Sequence, residues 1–395
     1  MSRPFLAGWL ALGLLACDGS RFIRHPPACS GSECDRLSLA DAGARDSAPR
    51  ADGAAGAAGG VADGPAGGTG MGTWSRLSAA PTKVERGTVA WTGGVLLLVG
   101  EAMGDPTRRV LSYSPSEDRW RPGAVVPASL IIVGARAAWT GRELWTFGGS
   151  PAGGTPTAMG GRYDPAADVW REHPAGPPTR QRHLALWTGS ELLVLGGVEN
   201  LTEVGGFALS EGGEWRMLAN VPLGADLGGA WTGRVAFLWG PAHRHLYDPT
   251  RDEAQLIDVA GTPPAMRPNA RVFWSGTEVL VAGPSASGGG DGAASLQGFD
   301  PAAMRWRALG AIDLPASLSS AGAALSGEAL FLVGGQAGGV HARGHRFDVA
   351  AGTWQDLAAH ADLQSLGSPI VEWAGSELLA IQPSEDAPVG LRWQP

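Results

Sequence analysis

The chain has 395 residues, 44% hydrophobic and 17% charged, with a formal net charge of −8. Acidic and basic residues are interspersed and no basic run interleaves with aromatics, which argues against a nucleic-acid partner. The only three cysteines, Cys17, Cys29 and Cys34, lie near the N-terminus, so the rest of the chain has no thiol to use.

In chain order, Arg3 is followed by twelve apolar residues, Phe5 to Ala16. That run is too short to span a bilayer and fits the hydrophobic core of a cleaved signal over residues 1–16. It ends Leu14-Leu15-Ala16-Cys17, which resembles the cleavage box of bacterial lipoproteins. The resemblance implies that Cys17 becomes the lipidated first residue of the mature protein. The chain would then sit on a cell-envelope membrane, periplasmic or surface-exposed, held by the lipid alone. An ordinary secretory signal cut near Ala16 is the alternative. Residues 17–71 are rich in Gly, Ala, Asp, Ser and Pro, a composition that cannot build a core and predicts a flexible tether with a reach of roughly 40 Å. With Cys17 lipidated, Cys29 and Cys34 remain, and an oxidising envelope favours a small disulfide between them. Two cysteines beside the lone His25 do not make a zinc site; no metal or cofactor is expected.

From residue 72 onward the chain repeats itself. A first-strand landmark, an apolar residue before a turn that ends in Gly, recurs at Trp91, Trp139, Trp187, Trp231, Trp274, Leu325 and Trp373. The spacing averages about 47 residues, within the range of propeller blades. A third-strand aromatic recurs at Tyr113, Tyr163, Phe207, Tyr247, Phe299 and Phe347, followed seven or eight residues later by Trp120, Trp170, Trp215, Trp306 and Trp354, with Ala254 in the unit that lacks the Trp. Asp-Pro pairs at Asp164, Asp248 and Asp300 mark the turns between those strands. Runs such as Val95–Val99 and Leu192–Leu195 are apolar on both faces, as inner strands packed between neighbouring blades must be. Twelve of the sixteen Trp fall at the two repeated positions, which predicts packing roles for them. The last unit, after Trp373, supplies three strands only, and the missing Trp-bearing strand stands at the other end, around Trp74. The expected fold is all-β: a seven-bladed propeller over residues 72–395, its last blade completed by the N-terminal strand, which removes the open edges.

The unit, with a glycine pair closing the second strand and a spaced aromatic and Trp on the outer strands, resembles a kelch repeat. The pair is intact at Gly148-Gly149, Gly196-Gly197 and Gly334-Gly335, altered at Gly100-Glu101, Gly240-Pro241 and Gly283-Pro284, and lost at Ile381-Gln382. Arg86, Arg136, Arg182 and Arg271 precede first strands, beside the inter-blade loops. The kelch resemblance implies that arginines here line the mouth of the ring and grip acidic ligands, and guanidinium geometry suits carboxylates. A salt bridge to the next blade is the competing role. Among loop residues that break the repeat, Glu101, Asp105, Glu199, Glu203, Asp291 and His341 are further candidates. Glu143, Glu191, Glu278, Glu328 and Glu377 recur after the turn Gly, as Asp118, Asp168 and Asp252 recur in the outer turns; repetition predicts structural bonds for both sets. His243 and His245 share a strand face without a third ligand at recognisable spacing. Kelch-type copper oxidases need a Cys–Tyr crosslink, excluded here because no Cys falls in the ring and all three Tyr occupy the repeated slot.

These observations favour a monomeric, non-catalytic head at the envelope that binds a protein or a glycan through its loop face. Two alternatives stand: a carbohydrate-active propeller of the mutarotase or lyase kind, and an assembly scaffold without a small ligand.

Overall fold

The computed structural model describes residues 70–395 except 83, 85, 102–107, 131–132, 151–154, 200–201, 241–242, 260–270, 285–292, 314–320, 335–343 and 383–388; at a few strand ends, among them 86 and 101, only the backbone is described. The expected signal, Cys17, Cys29, Cys34 and the expected tether up to residue 69 lie outside the described residues; Met71, assigned to the tether by composition, instead bridges to Leu357 at the end of blade VI.

Seven four-stranded antiparallel sheets form the blades of a propeller. Blades I to VI occupy residues 86–125, 136–172, 184–218, 228–256, 271–313 and 322–356, each meandering outward from its first strand to its fourth. Blade VII takes its three inner strands from residues 370–394 and its outermost from Thr73–Arg76. There Trp74 stands opposite Trp393, and Arg76 opposite Leu391, as the missing fourth strand predicts.

A lone blade cannot bury two apolar faces, and the core is accordingly distributed between blades. Each junction has its own apolar slab: Leu98 with Ile381 between VII and I, Leu97 with Tyr163 between I and II, and Phe147 with Trp187 between II and III. Leu193 packs with Tyr247, Phe237 with Phe299, Leu280 with Phe347, and Phe331 with Trp393 around the remaining junctions.

The outer turns explain why this protein has Tyr only where it does. Tyr113, Tyr163 and Tyr247 each donate a 2.7 Å hydrogen bond to the Asp five residues on: Asp118, Asp168 and Asp252. Each of those carboxylates also accepts a backbone N–H from the preceding blade, from Ser78, from Ala124, and from Ala219 and Asn220 respectively. The Asp residues have φ between 45° and 54°, left-handed geometry that Asp tolerates. Where the slot holds Phe, at Phe299 and Phe347, the fifth residue on is Met304 or Gly352, and hydroxyl and acceptor are missing together. The repeated glutamates are likewise structural: Glu143, Glu191 and Glu278 pair with Arg171, Arg216 and Arg307, each beside a fourth-strand Trp, and Glu377 lies 3.8 Å from Arg392.

Two details of the register differ from expectation. In blade III it is Leu209, not Phe207, that stands opposite Trp215; Phe207 faces Met217. The spacing of eight residues there, against seven elsewhere, is the trace of that shift. The deepest indoles are also not the repeated ones. Trp239, Trp393 and Trp145 are 0%, 1% and 2% exposed, whereas Trp91, Trp139 and Trp170 are only half-buried. Trp393 is the third-strand aromatic of blade VII, and its indole N–H donates to the Met71 carbonyl at 2.8 Å.

Candidate functional site

The antiparallel meander sorts the loops onto two faces. Hairpin turns between first and second strands, and between third and fourth, lie on one face of the ring. The second-to-third loops and the connections from blade to blade lie on the other, the mouth. First strands neighbour one another around the axis, so residues that begin them stand at the inner rim of that mouth.

Three of the four rim arginines reach the same place in the next blade. Arg136, opening blade II, donates from Nε to the carbonyl of His183 at 3.0 Å, 47 residues ahead. Arg182 sits just before blade III with φ 59°, and its Nε lies 3.0 and 2.9 Å from the two carboxylate oxygens of Asp226, before blade IV. Asp226 answers by donating its backbone N–H to the Arg182 carbonyl at 3.0 Å. Arg271, buried at the start of blade V, donates to the Ala321 carbonyl at 3.4 Å. Each guanidinium therefore ties one blade to its successor while standing at the rim. Arg86 begins the first strand of blade I with its backbone opposite Glu101; their side chains, with Asp105, Asp291 and His341, lie outside the described residues.

Among the described residues the mouth is most elaborated over blade III. Its second-to-third loop carries an extra two-stranded hairpin, Val198–Glu199 with Thr202–Glu203, and Val198 bridges to Gln181 in the connection from blade II. Glu199 is half-buried and accepts a hydrogen bond from the Thr179 hydroxyl at 3.2 Å; Glu203 is exposed. Under the hairpin lies Arg180, 0% exposed. Its Nη1 donates to the carbonyls of Gly196 and Gly205, at 3.2 and 2.8 Å, on either side of the loop. Its guanidinium lies 5.0 Å over the ring of Phe207, the aromatic that left the repeated register. Nη2 has no hydrogen-bond partner among the described residues. Burial draws the Arg180 pKa down to about 10, and the charge of Glu199 opposes the fall. A buried guanidinium without a bonded carboxylate is costly, on the order of several kcal/mol.

Beside it His183 is fully buried, its pKa held well below the ordinary value by burial first and then by the charges of Arg136 and Arg180. His173, packed at a tilt against Trp145 with ring centroids 4.9 Å apart, is pushed down to about 4, by burial and then by Arg162. Both rings are neutral at pH 7. The structure thus gathers Arg136, Arg180, Arg182, Glu199 and Asp226 over one sector of the mouth, and leaves Arg271 on another. Arg180 and His183 carry no repeated spacing; the misplaced Phe207 was the one sequence signal for this sector.

On the strand between blades IV's turn and core, His243 and His245 stand 6.2 Å apart, ring centre to ring centre. No group of three His, Cys, Asp or Glu suited to a metal occurs among the described residues. No family model matches the chain, and no curated protein matches it in sequence.

Proposed function

We propose that this chain is an envelope-anchored, kelch-type propeller that binds an acidic protein or glycan ligand through the mouth over blade III, without catalysis. The observation that carries the reading is the convergence of Arg136, Arg180 and Arg182 around the extra hairpin that bears Glu199. Three guanidinium groups stand with two carboxylates there, which leaves a cationic excess in which Arg136 and Arg182 are partly exposed and Arg180 is buried, and arginine forks suit carboxylate or sulfate oxygens. The glycine pairs Gly148-Gly149 and Gly196-Gly197, all four at positive φ, support the kelch reading, and the Leu14–Cys17 box supports the lipid anchor.

A screen of the mature chain against a glycan array and an envelope protein extract tests the mouth. At least one ligand should be found whose affinity falls about tenfold, or about 1.4 kcal/mol, in Arg136→Gln with Glu199→Ala, the melting midpoint being preserved. Retention of every ligand by that variant refutes the mouth. Turnover on a sugar panel that disappears in Glu199→Gln replaces binding by the carbohydrate-active alternative. For the anchor, mass spectrometry should find acyl groups on Cys17, lost in Cys17→Ala.

A further inference from the structure

Blade IV breaks the repeat at three neighbouring positions. Blades II, III and V place a Trp and an Arg side by side on the fourth strand, and a Glu from the second strand pairs with that Arg. Blade IV has Ala254, Gln255 and Val235 in those places, fixed by the pairings Tyr247–Ala254, Leu246–Gln255 and Trp231–Ala236. The losses coincide with a groove of about 910 Å³. The cleft at the corresponding position of blade II, still holding Glu143 and Arg171, is about 360 Å³.

This groove runs from the turn end of the fourth strand (Glu253–Leu256) along Glu253, Ala254 and Gln255, and is lined from both sides of the strand. Asn220 after blade III lines one side, and Val235 and Leu246 of blade IV with Ala302 of blade V line the other. All four residues of the strand are exposed. Ile257 donates its N–H to the Arg244 carbonyl at 2.9 Å, so with antiparallel alternation Gln255 and Glu253 bond inward. Ala254 and Leu256 then aim their N–H and C=O groups outward. Elsewhere such an edge is guarded by a Trp, usually with Arg nearby, as at Arg119-Trp120-Arg121 and Arg305-Trp306-Arg307; Glu253-Ala-Gln-Leu256 has neither. At the turn end Arg234 and Glu253 offer opposite charges, and neither has an ion-pair partner among the described residues. No aromatic ring lines the groove as a stacking platform for a sugar.

We infer that the outer edge of blade IV takes an extended peptide from a partner protein, added as a fifth antiparallel or parallel strand. Main-chain bonds to Ala254 and Leu256 hold it, and an acidic and a basic side chain of the peptide meet Arg234 and Glu253. This surface is separate from the mouth.

Random peptides displayed on phage, selected on the whole mature chain and then synthesised, provide the probe. Enriched peptides should lose about tenfold in affinity on Ala254→Pro, which removes the outward N–H but no inward bond, and at least as much on Ala254→Trp, which restores the indole. They should bind Arg136→Gln unchanged, and should slow hydrogen exchange at the Ala254 and Leu256 amides of the wild-type chain. If either variant fails to fold, that exchange measurement decides alone. No enrichment, binding of the peptides to either Ala254 variant as tightly as to the wild type, protection elsewhere, or displacement of the peptides by a saccharide instead would overturn the inference.

Discussion

Replacing Trp74 by Ala probes the closure of the ring at its one non-covalent seam. Trp74 is buried in the slab shared by blades VI and VII, with Leu378, Leu391 and Trp393. Truncating a buried Trp costs about 3–5 kcal/mol. For a domain of this size each kcal/mol lowers the melting midpoint by about 2 °C, so a drop of roughly 6–10 °C is expected by circular dichroism. Removing residues 1–82 should be more severe. It deletes the ladder from Thr73 to Arg76, the buried Leu77, and the Ser78 contacts to Asp118 and Trp120 of blade I, exposing Leu391 and Trp393. A chain lacking only residues 18–69 should melt within about 1 °C of the intact protein, because the ladder begins at Thr73. If the two truncations melt together, or Trp74→Ala melts like the wild type, the shared blade does not hold the ring shut.

Tyr247→Phe should cost about 1.5 kcal/mol, and a double-mutant cycle with Asp252→Ala should show coupling of at least about 1 kcal/mol in urea denaturation; Phe299→Tyr should gain nothing, since Met304 offers no carboxylate. Acid should weaken the fold through its buried imidazoles. With His173 lowered from 6.5 to about 4, the unfolded chain binds protons that the folded ring refuses as the pH falls between those values. Stability contributed above pH 6.5 is therefore lost progressively down to about pH 4, by on the order of 3 kcal/mol for this residue, and His173→Gln should flatten that slope in denaturation curves. Gly149→Ala should destabilise far more than Gly141→Ala although both glycines have positive φ. A Cβ at 149 would stand 2.7 Å from the Val133 carbonyl oxygen, whereas one at 141 meets nothing within 4 Å; thermal melts of the two variants compare strain alone with strain plus collision.

The ring was legible because its signals are local and repeated. A Thr-Gly turn, whose Thr140 hydroxyl accepts the Glu143 N–H at 2.9 Å, looks the same in sequence wherever it occurs, and a Trp strand left over at one end, with a unit short of one at the other, pointed to closure. What stayed hidden depends on contacts between segments that share no pattern. Arg180 and His183 owe their burial to the hairpin of blade III and to Gly148 and Gly196, and no periodicity reports that. Trp145 and Trp239 sit on second strands, where any bulky apolar residue satisfies the pattern, so their depth was invisible until the neighbouring blades were in place. The rim arginines were placed at the mouth by position, and the competing role of that position, a salt bridge to the next blade, is the one Arg182 makes with Asp226, while Arg136 and Arg271 reach carbonyls of the next blade instead.

The bond between the Met71 carbonyl and the Trp393 indole joins residues 322 apart in sequence. On a ribosome the segment around Trp74 emerges before blade I, yet its pairing partners follow blade VI. Blades I to VI have all their strands before that moment; the seventh does not. Until those partners are made, the leading strand is an unsatisfied β-edge and the flank of blade I an uncovered apolar face, both open to mispairing with another nascent copy. Joining the two ends, the contact of greatest sequence separation, is therefore the step most exposed to aggregation and the one a chaperone would have to guard.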